Sequence, residues 1–266
     1  MNDFLLPVLF VAGIGLLAGL ILSFASVLMA VPKDQKAEKL REMLPGANCG
    51  ACGFSGCDGY AAALAKGEAK PGLCTVGGTE TAKKLAEYLG VDAGSVEQRR
   101  AVVRCLGSYD NTSDKVQYEG VPSCAAAARL AGGPANCSYG CIGLGDCAEA
   151  CQFGAIGIRN GAAMVVPERC TGCSQCAQAC PKQLITMVPV KKQAVVLCSS
   201  CDKGNVLGKL CSAGCIGCMK CEKACSHDAI HVTNFLASVD PQKCTGCGEC
   251  AAVCPRHVIA MIESEN

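Results

Sequence analysis

Residues 211–254 read CSAGCIGCMKCEKACSHDAIHVTNFLASVDPQKCTGCGECAAVC. Cys215, Cys218, Cys221 and Cys225 follow C-x2-C-x2-C-x3-C, and Cys244, Cys247, Cys250 and Cys254 repeat that spacing. Thiolates so arranged curl round an iron–sulfur cluster, and where two runs lie together the fourth cysteine of each crosses to the other cluster. The spacing therefore pairs Cys215, Cys218 and Cys221 with Cys254, and Cys244, Cys247 and Cys250 with Cys225. Zinc takes four ligands and closes, so it gives no reason for two interleaved runs.

This is the ligand pattern of a two-cluster ferredoxin, and it recurs upstream. Residues 136–156, NCSYGCIGLGDCAEACQFGAI, align with residues 210–230 at an offset of 74 residues, which carries Cys141 onto Cys215. The same offset carries Cys137 onto Cys211, Cys147 onto Cys221 and Cys151 onto Cys225. Cys170, Cys173, Cys176 and Cys180 fall on the second run without a gap, and Cys124 falls on Cys198. Repetition at a fixed period marks a duplicated structural unit. β-prone stretches at 156–159, 163–166 and 230–233 flank the cysteine loops, so each copy is expected to be a small α+β unit. Leu144 stands where the second copy has Cys218. Either Cys137 replaces the lost ligand, giving Cys137, Cys141, Cys147 and Cys180, or the site holds [3Fe-4S]. The partner site is Cys170, Cys173, Cys176 and Cys151.

A third cysteine group lies nearer the N-terminus. Cys49, Cys52, Cys57 and Cys74 are spaced C-x2-C-x4-C-x16-C, with Gly50, Gly53, Gly56 and Gly59 among the first three. Glycine allows the positive φ that a chain needs to wrap a cluster closely. A short helix over 60–66 and a turn at Pro71-Gly72 would bring Cys74 back to close the site. A [4Fe-4S] cluster is the reading, with four-cysteine zinc as the alternative. Helices are expected over 78–89 and 122–130, and a short strand over 101–104. Cys105, Cys124, Cys198, Cys201 and Cys211 are left over. They are either buried apolar thiols or, for four of them, one further cluster. At least five clusters and up to six are expected.

The chain has 266 residues, 25 of them cysteine, no tryptophan and a net charge of +1. An odd cysteine count at cluster spacings argues against a secreted disulfide scaffold. Few aromatics argue against a large aromatic core as the source of stability; metal binding coupled to folding can supply it. No basic stripe interleaved with aromatics suggests nucleic-acid binding.

From Phe4 to Val31 no residue is charged, long enough for a helix to cross about 30 Å of hydrocarbon. Asp3 precedes the run and Lys33, Lys36, Lys39 and Arg41 follow it. That is the wrong flank for a signal peptide, and it puts the C-terminal part in the cytoplasm. Gly15 and Gly19 have the small-xxx-small spacing of a helix contact, or are simply scattered glycines. His227, His231 and His257 lie near cluster cysteines and are expected beside the clusters or in solvent, since each run has its cysteines. Lys182, Lys191, Lys192, Lys203 and Lys209 form a loose basic patch, for docking an acidic carrier or for solubility. No Walker loop, dinucleotide fingerprint or Ser/His/Asp set is present.

The expected architecture is a transmembrane helix (1–32), a small Fe-S domain with its linker (33–78), a connecting segment (79–135) and tandem ferredoxin-like units (136–190 and 191–266). The combination of N-terminal span, C-x2-C-x4-C-x16-C group and doubled ferredoxin unit resembles, over the whole chain, the longer forms of the B subunit of the bacterial Rnf complex. That resemblance implies an electron-transfer subunit of an ion-translocating ferredoxin:NAD oxidoreductase in the bacterial inner membrane. It implies soluble ferredoxin as electron donor, and flavin-bearing and other membrane subunits as partners. A membrane-tethered polyferredoxin of a reductive or hydrogenase-type complex is the alternative.

Overall fold

The computed structural model describes residues 2–28 and 34–262. Val31 and Lys33, the expected end of the span and start of its basic flank, lie outside the described residues, as do residues 263–266. Helix α1 (Asn2–Leu28) contains the stretch Pro7–Ser26, of mean hydropathy 2.5 and with none of it buried. Among the described residues it is the one helix long and apolar enough to cross a membrane. An added Cβ at Gly15 or Gly19 would meet nothing within 4 Å.

The first cysteine group is framed by α2 (Gln35–Met43), α3 (Cys57–Lys66) and α4 (Gly78–Leu89). Asp34 caps α2 by accepting the amides of Lys36 and Ala37. Gly67 and Gly90 end α3 and α4 in the left-handed conformation that glycine adopts without strain. Leu40, Tyr60, Leu64 and Leu85 are buried in one cluster, so helices on both sides of the cysteines share its core. α4, which follows the expected boundary at residue 78, packs Leu85 into this cluster. The expected turn at Pro71 is present as a single 3-10 turn, Pro71–Leu73.

The rest of the chain is short antiparallel strand pairs and one- or two-turn helices. Strand β1 (Arg99–Val103) begins it, followed by α5 (Cys124–Ala128) and α6 (Asp146–Glu149). Then come β2 (Ile156–Arg159), β3 (Ala162–Val165), α7 (Gln175–Ala179) and β4 (Ile185–Pro189). The second half runs β5 (Gln193–Val196), α8 (Gly204–Leu210), α9 (Lys220–Ala224), β6 (Ile230–Thr233), β7 (Leu236–Val239), α10 (Glu249–Ala252) and β8 (Ile259–Ile262). β2 pairs with β3 and β6 with β7, each as a hairpin. β1 pairs with β4, matching Ala101 to Met187, and β5 pairs with β8, matching Ala194 to Met261.

β1 lies inside what the sequence reads as a connecting segment, and it forms a sheet with β4. The registers also relate β1 to β5 by 93 residues, which carries Cys105, not Cys124, onto Cys198. Two hydrogen bonds repeat between the halves, with donors 93 and acceptors 74 residues apart. Ala101 N donates to Cys170 Sγ at 3.3 Å and Ala194 N to Cys244 Sγ at 3.4 Å. Arg104 N donates to Leu184 O and Leu197 N to Val258 O, both at 2.7 Å. The match of Cys124 to Cys198 is thus a coincidence of numbering. Between Cys105 and Cys141 the first unit holds 19 residues more than the second holds between Cys198 and Cys215, and Cys124 lies in that insertion.

Tight loops explain several glycines. Gly143 and its counterpart Gly217 have φ of +79° and +64°, and a Cβ there would strike the backbone of Gly161 or Phe235. Only glycine combines that conformation with so close an approach.

Candidate iron–sulfur sites

In the N-terminal domain the loop before α3 is held by Asn48, whose side chain accepts the Cys57 amide at 2.9 Å. The return is pinned by Tyr60. Its buried hydroxyl shares its one proton between the carbonyls of Lys70 (2.6 Å) and Pro71 (2.8 Å) and accepts the Leu73 amide at 3.3 Å. Burial drives the Tyr60 pKa far up, so the group stays a neutral donor. Cys74 accepts the Gly77 amide at 3.3 Å. Burial raises its thiol pKa, as do neighbouring Cys52, Cys57 and Cys49, the four sulfurs being close together.

In the second unit Cys215, Cys218, Cys221 and Cys254 line one cavity of about 340 Å3, and Cys225, Cys244, Cys247 and Cys250 line another of about 330 Å3. The structure thus brings together the cysteines that the expected crossed pairing groups. Cys225 accepts the Ala229 amide at 3.4 Å. In the first unit Cys176 is pushed up to about 11 by burial and by Cys170, Cys173 and Cys151, which gathers the expected partner set.

The remaining site of the first unit differs from expectation. Its cavity, about 380 Å3, is lined by Cys124, Cys141, Cys147 and Cys180, and Cys137 is not among its residues. Burial, with Cys141, Cys124 and Cys180 nearby, pushes the Cys147 thiol up to about 12. Cys124 is held there by Asp146, at the start of α6. Its carboxylate accepts the amides of Cys124 (2.7 Å) and Ala125 (3.0 Å) and the Ser123 hydroxyl (3.0 Å), capping α5. Desolvation opposes the charged form of Asp146, but these donors outweigh it and lower the pKa. The second unit has Lys220 at the equivalent position, and no insertion to hold.

The donor sets fit clusters. Three of the sets line small recesses, and in four of the five backbone amides are turned onto sulfurs at 3.3–3.4 Å. Thr171 Oγ1, between Cys170 and Cys173, is buried with no hydrogen-bond partner, a donor suited to a cluster sulfur.

Adjacent sites touch. Gln175 Nε2 donates to Cys49 O at 2.9 Å, and Thr75 Oγ1 to Gly172 O at 3.4 Å, joining the N-terminal domain to the first unit. Among the histidines, His227 lines the cavity of Cys244 from the solvent side. His231 instead pairs with Glu222 (3.4 Å) and Asp228 (3.5 Å). Lys182 donates to the Ser138 carbonyl. Cys201 is exposed and lines none of these cavities.

Comparison with known proteins agrees with the geometry. Residues 44–76 match the family described as "Putative Fe-S cluster", and residues 137–185 and 214–258 each match a 4Fe-4S dicluster domain. The B subunit of the ion-translocating oxidoreductase complex of Methanosarcina acetivorans is 40% identical over 251 residues, 94% of this chain and 95% of the relative. The B subunit of the Na(+)-translocating ferredoxin:NAD(+) oxidoreductase complex of Acetobacterium woodii is 40% identical over 98% of this chain and 78% of its own length. Its counterpart in the proton-translocating ferredoxin:NAD(+) oxidoreductase complex of Clostridium ljungdahlii is 40% identical over 99% of this chain and 94% of its own length. With four-cysteine sites in three domains and this likeness along nearly its full length, the chain belongs to the family of B subunits of ion-translocating oxidoreductase complexes.

Proposed function

We propose that the chain is the membrane-anchored electron-transfer subunit of a ferredoxin:NAD oxidoreductase that translocates an ion, taking electrons from reduced ferredoxin toward NAD through flavin-bearing partner subunits. The observation that carries this is the succession of four-cysteine sites along one polypeptide, the first of them joined to the next unit through Gln175 and Thr75. Five ligand sets follow: Cys49, Cys52, Cys57 and Cys74; Cys151, Cys170, Cys173 and Cys176; Cys124, Cys141, Cys147 and Cys180; Cys215, Cys218, Cys221 and Cys254; Cys225, Cys244, Cys247 and Cys250. When bound there, [4Fe-4S] clusters supply one-electron carriers whose potentials depend on hydrogen bonds and exposure. The thiolates hold them, and the amides of Gly77, Ala101, Ala155, Leu184, Ala194 and Ala229 stabilise added negative charge on the sulfurs. We read the two C-terminal units as tandem α+β ferredoxin-like folds spanning about residues 98–190 and 191–266, with α1 crossing the membrane and the units on its cytoplasmic side. Cys218 and Cys247 are exposed, which favours the second unit as the face that meets ferredoxin.

The test is anaerobic purification of the complex from membranes, followed by addition of reduced ferredoxin. The expected result is bleaching of the cluster absorbance of this chain, co-purification with flavin-bearing subunits, and release from the membrane when residues 1–28 are deleted. A cluster-loaded chain that ferredoxin fails to reduce would refute the reading.

A further inference from the structure

Four cysteines outside the five sets also converge. Cys105, Cys137, Cys198 and Cys211 line a cavity of about 350 Å3, with Leu197 and Leu207 among its apolar walls. Its size matches the cavities of about 330–380 Å3 that hold four cysteines elsewhere in the chain. The sequence alone gives no hint of the grouping, since Cys137 reads as a ligand of the Leu144 site and the other three lie in no motif.

The cavity sits between the two ferredoxin-like units and takes two sulfurs from each. Cys105 and Cys198 are equivalent by the strand registers, and their hydrogen bonds are the same. Gly107 N and Cys141 N each donate to Cys105 Sγ at 3.3 Å. Ser200 N and Cys215 N donate to Cys198 Sγ at 3.5 and 3.4 Å. Cys137 and Cys211 are equivalent by the 74-residue repeat. The four donors are therefore two equivalent pairs, one from each unit.

The surroundings fix the two halves to each other. Arg104 Nη2 donates to Cys198 O at 3.2 Å, and Ser199 Oγ to Arg104 O at 3.1 Å. Thr112 Oγ1 donates to Leu210 O at 2.8 Å, and Ser212 Oγ pairs with Asn111 Oδ1 at 2.7 Å. Four buried or half-buried thiols with amides already turned onto two of them make a donor set for a cluster, as in the five sites above.

We propose that this junction holds a sixth [4Fe-4S] cluster, ligated by Cys105 and Cys137 of the first unit and by Cys198 and Cys211 of the second. Its neighbours on either side are Cys141 and Cys215, whose own amides bond Cys105 and Cys198. The site thus lies between the nearest cluster sites of the two units. Every cysteine except Cys201 then has a ligand role. The proposal rests on the five-site reading above.

The full chain, purified anaerobically in detergent, is assayed for iron, sulfide and zinc. About 24 irons per chain are expected, four per cluster. About 20 irons would overturn the junction site while leaving the five-site reading intact. Fewer than about 20 would overturn that reading instead. Zinc bound in equal amount to the chain, with about 20 irons, would also overturn the junction cluster. A Cys137→Ser/Cys211→Ser variant should lose about four irons, and about one-sixth of the Mössbauer intensity, relative to a Cys201→Ser control. Unchanged iron in the double variant would overturn the assignment. Should the variant not fold, the wild-type count still decides.

Discussion

Asp146 is the residue on which the unconventional site of the first unit depends, and replacing it by alanine gives a calculable result. The variant loses a carboxylate that accepts two amides and a hydroxyl at 2.7–3.0 Å. Hydrogen bonds to a charged group are worth about 1.5–3 kcal/mol each in favourable cases. Here water can replace part of them, because Asp146 is only partly buried. A net loss of about 2 kcal/mol is expected, which matches the upper range for removing a helix N-cap. That raises the fraction of time Cys124 is displaced about 30-fold. The assay is anaerobic transfer of iron from the full chain to a strong chelator. In Asp146→Ala a fast phase of about four irons should appear. Lys220→Ala, the equivalent change in the second unit, should show none. The reasoning fails if Asp146→Ala releases iron at the wild-type rate, or if Lys220→Ala does the same as Asp146→Ala.

Cys124→Ser should convert or empty one cluster of the first unit, seen as a [3Fe-4S] signal in the oxidised EPR spectrum or a loss of iron. Adding Leu144→Cys should restore the wild-type spectrum, because Gly143 and Gly217 shape both loops alike; no rescue would count against the equivalence. Tyr60→Phe removes a buried hydroxyl with three partners and should cost about 1–3 kcal/mol. It should speed iron loss from the N-terminal site alone, and equal loss from all sites would contradict this. Gly143→Ala forces a Cβ into the Gly161 backbone at φ +79° and should lower the unfolding midpoint of the first unit measurably, whereas Gly157→Ala, with open space around it, should change it little.

Most of the sites were legible because cluster ligands cluster in sequence. The four-cysteine runs report their own pairing, and the N-terminal group needs only the Pro71 turn to bring Cys74 back. The helix over 78–89 and three of the four hairpin strands are readable from composition; β7 (Leu236–Val239) is not. Three further things were not. β4, β5 and β8 are short, and their partners lie up to about ninety residues away, so no local period marks them. Cys124 is a ligand supplied by an insertion, and only its capping by Asp146, 22 residues on, places it. The junction cysteines come from four separate segments, and their grouping follows from docking, which no spacing encodes. The 74-residue offset even misleads, since it aligns Cys124 with Cys198, while the fold aligns Cys105 there.

The junction cavity has a consequence for how the molecule is assembled. Half of its donors arrive with each copy of the repeat, so neither copy can complete it alone. A cluster there works as a cross-link between segments up to about a hundred residues apart, and like other cross-links it narrows the unfolded ensemble by closing long loops. On that proposal, loading of this site would follow folding and docking of both units. A chain that had filled it would have passed a structural checkpoint, and a chain starved of iron would be left with only the direct contacts, such as those of Arg104, Ser199, Thr112 and Ser212, between its two halves.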